Sequence, residues 1–235
     1  MTRGLLIALV GGLASAAFFL AVRTGAPGAI ALTYLASVPV LAVGLSQGLL
    51  NSAIAALIAA IAIMLGIHAT ASGIYIAIAA IPALIVIRQS LFSRPGSTPG
   101  KLEWYPIGLT LGCLTAYGLI VLAIISLYFL GDEGGLTGKS ERLLGTVFSR
   151  VTAANPQITI PFEGIARFLP GMLLSVWLLI SIVNATLAQN VLARLGHAIR
   201  PIPSYSSIEL PNWMSLALAM AILMSFFFGS NRGFW

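Results

Sequence analysis

Hydrophobic residues occur along this chain in seven long runs that are separated by short polar connections. The runs are approximately Leu5–Val22, Ala29–Leu45, Leu49–Ile67, Gly73–Ile87, Pro106–Leu130, Phe168–Leu192 and Trp213–Phe228. An apolar stretch of about 18 residues is long enough to cross a bilayer as a helix. Because every backbone amide must be paired internally in hydrocarbon, such segments have to be helical. The pattern predicts an all-α, polytopic transmembrane helical bundle of about seven spanning helices, forming a single transmembrane domain over residues 1–235.

The longest connection, residues 131–167, carries a helical pattern of its own. Leu143, Val147 and Val151 recur every four residues, and Leu144 and Phe148 lie beside them. A stripe of apolar residues with polar residues on the other faces is typical of a helix that lies on a membrane surface. The connection is therefore predicted to contain an interfacial amphipathic helix.

Composition places the chain in the membrane class independently of the helix pattern. Hydrophobic residues make up 59% of the 235 residues and charged residues only 8%, whereas soluble domains carry about 25% charged residues. The net charge of +6 comes from cations scattered among the connections. Without a basic cluster the expected partner is the lipid bilayer rather than a nucleic acid.

The distribution of cations predicts which side of the membrane the N-terminus occupies. If the N-terminus is inside, the short inner segments hold six Lys and Arg and the short outer segments hold two. Short cytoplasmic loops are enriched in these residues. The sequence therefore predicts a multi-pass membrane protein with a cytoplasmic N-terminus.

Small residues form a stripe on the first helix. Ala8, Gly12 and Ala16 repeat every four residues, and such a face lets another helix approach closely. Two interpretations remain open at this point. The stripe is either a packing surface within the bundle or a docking surface for a partner membrane protein.

Uncharged polar residues share one face of the sixth helix. Trp177, Ser181 and Asn184 are separated by four and three residues, so they lie on the same side of a helix. An amide that faced hydrocarbon would lose its hydrogen bonds, which predicts that this face points into the bundle. These three residues are candidate ligand-binding residues, and the alternative is a hydrogen bond between helices.

Signals of catalysis are absent from the sequence. All six carboxylates lie in connections, and there is no phosphate-binding loop, paired carboxylate or zinc-binding motif. The lone Cys113 allows neither an intrachain disulfide nor a cysteine-based metal site. We therefore expect no enzyme activity, no metal and no cofactor.

Several segments together resemble a known family. They are residues 9–16 (LVGGLASA), 38–48 (VPVLAVGLSQG), 168–170 (FLP), Trp177, Asn184, Arg200-Pro201 and 210–213 (LPNW). This pattern resembles the YybS-like predicted bacterial membrane proteins, the family called domain of unknown function 2232. That family is distantly similar to the substrate-binding components of energy-coupling-factor transporters, which bind small nutrients and dock a partner through small residues of the first helix.

The resemblance carries one departure and one functional implication. The family pattern continues through another helix, whereas this sequence stops at 231–235, so the C-terminus is expected to be shortened. The resemblance implies a location in a bacterial inner membrane and the function of a small-solute binding or transport-type component without its own energy source. The alternative is a structural membrane scaffold that assembles with partner membrane proteins and binds no solute.

Overall fold

The computed structural model describes residues 2–96, 102–154, 163–202 and 208–229. The expectation of a shortened C-terminus falls on 231–235 and lies outside these residues. Contacts divide the chain into two compact units, one of Met1–Leu114 with Asn184–Trp235 and one of Thr115–Val183. The prediction of one domain over 1–235 is not decided by this division, because both boundaries fall within continuous helices.

Helices dominate the described chain. They are α1 (Thr2–Leu20), α2 (Ala29–Tyr34), α3 (Ser37–Gln47), α4 (Leu49–Gly66), α5 (Ala69–Tyr75), α6 (Ile81–Leu91), α7 (Ile107–Tyr128), α8 (Gly135–Ala154), α9 (Glu163–Ala166), α10 (Leu169–Arg194) and α11 (Asn212–Gly229). A short antiparallel pair, β1 (Ser93–Pro95) with β2 (Leu102–Trp104), interrupts them. The Arg94 guanidinium and the Glu103 carboxylate meet across this pair at 2.9 Å.

Six helical stretches of the described chain are long and apolar enough to cross a membrane. They are Arg3–Thr24, Ala29–Gln47, Leu49–Gly66, Ala69–Leu91, Ile107–Tyr128 and Leu169–Arg194. Each corresponds to one of the predicted runs, and the seventh run lies in the apolar helix α11. The all-α, multi-pass fold class is confirmed.

The predicted interfacial segment contains a helix of 20 residues, α8. Its apolar residues Leu143 and Val147 are both about half exposed. Lys139 pairs with Asp132 at 2.8 Å close to the start of this helix. An exposed apolar stripe suits a water–lipid boundary. The location of α8 on a membrane surface stays our prediction.

The second span is broken between α2 and α3, and Pro39 explains the break. Proline has no N–H, so the Leu35 carbonyl cannot form its usual helical bond four residues ahead. The Val38 N–H donates instead to the Leu35 oxygen at 2.9 Å, a tighter turn. This shift frees the Tyr34 carbonyl, which the Val38 N–H would otherwise bond in a regular helix.

The fourth span contains a second irregularity that also precedes a proline. Between α5 and α6 the chain forms one wide turn, Ile76–Ala80, with a π-helical pattern. Pro82 follows two residues later, at the start of α6. Turns of this kind widen a helix without ending it, so Ala69–Leu91 remains one continuous span.

Helix α1 packs against both α3 and α4 and reaches both through glycines. A Cβ atom on Gly12 would lie 2.5 Å from the Ala55 carbonyl oxygen of α4. A Cβ atom on Gly11 would overlap a methyl group of Val43 on α3. Two adjacent glycines therefore allow two neighbouring helices to approach α1 on adjoining faces.

Candidate intramembrane site

Polar side chains from four helices gather around the break between α2 and α3. Ser15 comes from α1, Ser37 from α3, Tyr75 from α5 and Asn184 from α10, and all except Ser37 are almost fully buried. Each belongs to the first compact unit. We call these four residues the break cluster, because they surround the segment in which regular helical bonding stops.

Asn184 supplies a donor for the carbonyl that is freed at the break. Its Nδ2 group donates to the Tyr34 carbonyl at 2.7 Å and lies 2.8 Å from the Ser37 hydroxyl. The Tyr34 carbonyl is the group left without its helical partner at the break. A free carbonyl in hydrocarbon is costly, so the amide of Asn184 completes the backbone bonding of α2.

Ser15 connects the break to the fourth span. Its hydroxyl donates to the Ala36 carbonyl at 2.6 Å and lies 2.7 Å from the Tyr75 hydroxyl. The Tyr75 ring is fully buried and packs edge-on against Phe19 at 5.4 Å. Since the Ser15 proton goes to Ala36, the Tyr75 O–H is the donor between the two hydroxyls.

Removal of the Ser15 hydroxyl and removal of the Tyr75 hydroxyl should lower the stability by different amounts. Ser15→Ala should destabilise the protein more than Tyr75→Phe, because only the first variant leaves a buried hydroxyl without a partner. We expect about 1–2 kcal/mol for Ser15→Ala and less than about 1 kcal/mol for Tyr75→Phe. Unfolding in detergent measures both free energies. The double variant should be no less stable than Ser15→Ala alone, and additive losses would contradict the proposed bonding.

The other two predicted ligand residues have separate environments. The Ser181 hydroxyl donates to the Trp177 carbonyl of its own helix at 2.9 Å. The Trp177 ring lies 6.2 Å from the ring of Tyr117 and is half-buried in the second unit. Asn184 points into the first unit as predicted, and its amide nitrogen is occupied by protein atoms. The ligand-binding role of the three residues stays a prediction, to which these contacts add no support.

The stripe of small residues on α1 is covered by the chain itself. Ala8 and Ala16 are at most 3% exposed, and Gly12 is in contact range of Ala55 and Ile58. This geometry is that of helix packing. A partner that docks on α1 would meet its opposite, exposed face, which carries Leu6 and Val10.

An open cavity of about 780 Å³ lies beside α1 and α3 within the first unit. Its polar end is formed by Arg3, Ser46, Gln47 and His197. The rest of its wall is apolar and is formed by Leu6, Ile7, Val10, Gly11, Ala14, Pro39, Ala42, Val43 and Leu192. We call this space the α1–α3 groove. Its size and its mostly apolar lining with a few polar groups are typical of a small-molecule site.

The chain that follows α10 helps to build the polar end of the groove. The Gln189 amide donates to the Arg200 carbonyl at 2.7 Å, and the Ile199 N–H donates to the Leu45 carbonyl at 3.1 Å. The Arg200 guanidinium also lies over the Trp104 ring, 5.8 Å from its centre. These contacts fix 197–200 against the end of α3, and so they place His197 beside the groove.

Among the described residues, neither the groove nor the break cluster brings together a group of potential metal ligands. No three His, Cys, Asp or Glu side chains come together there as a metal site would require. The polar groups of the break cluster are engaged with one another and with the backbone.

Sequence reasoning singled out Asn184 but missed its partners. No periodic sequence pattern includes Ser37 or the groove residues Arg3 and His197. Each is an isolated polar residue in an apolar or loop segment. One available signal was Pro39, because a proline inside a span disturbs the bonding of the preceding turn and leaves one of its carbonyls without a helical partner. A polar side chain from another span then has to satisfy that carbonyl.

Comparison with protein families supports the family resemblance over the C-terminal part of the chain. The family model described as "Predicted membrane protein (DUF2232)" matches residues 151–235. The resemblance to this family is therefore confirmed for that segment, whereas the similarity to energy-coupling-factor components is not confirmed. Neither the curated proteins nor the solved structures gave a match.

Proposed function

We propose that this multi-pass membrane protein binds a small molecule in the α1–α3 groove and carries out no chemistry on it. The observation that supports this function is the groove itself, a cavity of about 780 Å³ with one polar end and an apolar wall. Pockets between the helices of a bundle are common ligand sites. A binding or transport-type component without its own energy source fits this arrangement.

The proposed ligand site is the groove and not the face of Trp177, Ser181 and Asn184. Asn184 is already bonded to Tyr34 and Ser37, so a ligand would have to displace bonds that the broken span needs. In the groove, by contrast, the Arg3 side chain is exposed, and the groove is open. Binding there leaves the break cluster intact.

We further propose that the protein lies in a bacterial inner membrane with its N-terminus in the cytoplasm. The orientation is supported by the six-to-two excess of Lys and Arg in the short segments on that side. The bacterial inner membrane is what the family resemblance implies. This orientation would place the polar end of the groove, which contains Arg3, at the cytoplasmic surface.

The test of binding uses a variant that fills the groove. Ala42 lines the groove and is partly exposed, so the Ala42→Phe side chain should occupy ligand space. The matched control is Ala31→Phe, because Ala31 is an exposed residue of α2 outside the groove lining. Mass spectrometry of organic extracts then compares the small molecules that co-purify with each protein.

We expect the wild type and Ala31→Phe to retain a co-purifying small molecule and Ala42→Phe to lose at least about 90% of it. A pocket filled by an aromatic ring has little room left for a ligand. Equal amounts in all three proteins would contradict binding in the groove. Absence of a small molecule together with stoichiometric co-purifying membrane proteins would favour the alternative of a structural scaffold.

A further inference from the structure

The two ends of the α1–α3 groove differ in charge as well as in polarity. Arg3 and His197 lie at its polar end, and no carboxylate is among the described residues that line it. Arginine forms strong, charge-assisted hydrogen bonds with phosphate and carboxylate groups. The polar end of the groove therefore complements an anion and repels a cation.

The length of the groove matches one leaflet of a bilayer. Arg3 and Ala14 are eleven residues apart on α1, which corresponds to roughly 16 Å along the helix. Half of the hydrocarbon thickness of a bilayer is about 15 Å. On α3, which runs in the opposite direction, Gln47 lies at the polar end and Pro39 lies at depth.

The apolar wall is accessible from the side. Leu6 and Val10 line the groove and are 61% and 64% exposed. In a membrane-spanning helix such surface faces the acyl chains of lipids. A molecule that lies in the bilayer can therefore enter the groove without passing through water.

From this charge, depth and side access we propose that the groove holds an anionic phospholipid of the leaflet at the Arg3 end. The lipid phosphate contacts Arg3, and one acyl chain lies along Val10, Ala14 and Pro39. This inference rests on the proposed function of the groove and names the class of its ligand. It requires no particular orientation of the protein, because Arg3 fixes the leaflet.

The experiment measures lipid retention by native mass spectrometry. The protein is exchanged from vesicles of equimolar phosphatidylglycerol and phosphatidylcholine, with identical acyl chains, into detergent. The variants are Arg3→Gln and Arg3→Lys, and the control is Arg23→Gln. Arg23 is the cation at the opposite end of the first span, where it donates to the Gly66 carbonyl at 2.9 Å.

We expect the wild type, Arg3→Lys and Arg23→Gln to retain phosphatidylglycerol over phosphatidylcholine by about fivefold, the factor for one basic residue at an anionic lipid surface. Arg3→Gln should reduce this ratio to about one while the protein stays folded. Ala42→Phe should reduce retention of both lipids. Millimolar inorganic phosphate should displace neither, because the acyl chain supplies much of the binding.

The outcomes separate this inference from the proposed function. Equal retention of both lipids by the wild type, or an unchanged ratio in Arg3→Gln, would overturn the anionic specificity while the groove remains a binding site. Displacement by inorganic phosphate would identify a free anion as the ligand and overturn the lipid. If Ala42→Phe changes neither lipid retention nor the co-purifying molecules, both the inference and the proposed function fail.

Discussion

Gly12→Ala is expected to lower the free energy of unfolding by about 1–3 kcal/mol, the usual cost of overpacking. The added Cβ would lie 2.5 Å from the Ala55 carbonyl oxygen and 2.9 Å from the Ile58 Cβ. The first of these is backbone of α4, so a side-chain rotation cannot relieve the contact. Helices α1 and α4 would have to separate, and the dispersion contacts along Ala8 and Ala16 would weaken with them.

The matched control for Gly12→Ala is Gly73→Ala. Gly73 is an exposed helical glycine of α5, and a Cβ there would meet no atom within 4 Å. Alanine is the better helix former, so this variant should be as stable as the wild type or slightly more so. Thermal and denaturant unfolding in the same detergent compares the two variants. Equal stability of Gly12→Ala and Gly73→Ala would show that α1 and α4 are not closely packed.

Asn184→Leu is expected to lower the free energy of unfolding by about 1–3 kcal/mol through loss of the bond to the broken span. Leucine fills a similar volume but cannot donate to the Tyr34 carbonyl, which is already without its helical partner because of Pro39. Hydrogen bonds between membrane helices contribute about 0.6 kcal/mol on average. The expected loss is larger here because a backbone group is left without its partner.

Ser181→Ala is the control for Asn184→Leu on the same helix. The Ser181 hydroxyl donates to the Trp177 carbonyl within α10. Removal of this hydroxyl therefore leaves no polar group of another helix without its hydrogen-bond partner. It should change the free energy of unfolding by less than about 0.5 kcal/mol. A second comparison replaces Pro39 by alanine, which restores an N–H at the break. In that background Asn184→Leu should be less harmful, and an undiminished loss would contradict the link between Asn184 and Pro39.

The sequence by itself determined the fold class, the approximate positions of the spans and the inward direction of Asn184. Each follows from one strong physical term, the cost of an unpaired polar group in hydrocarbon. That term acts on every residue of a long apolar run, so its effect can be predicted from the local sequence alone. The small-residue stripe around Gly12 and the presence of a helix within 131–167 were predicted from helical periodicity, which is also a local property.

Only the tertiary structure decided which groups meet. The sequence left open whether Asn184 binds a ligand or another helix, because its partner, the Tyr34 carbonyl, lies 150 residues away along the chain. The groove was not predictable for the same reason, since Arg3, Pro39 and His197 come from three separated segments. In lipid every helix face is compatible with its solvent, so the choice of neighbours depends on close packing and on a few hydrogen bonds. Those terms depend on the three-dimensional fit of whole helices, which periodicity along one helix does not specify.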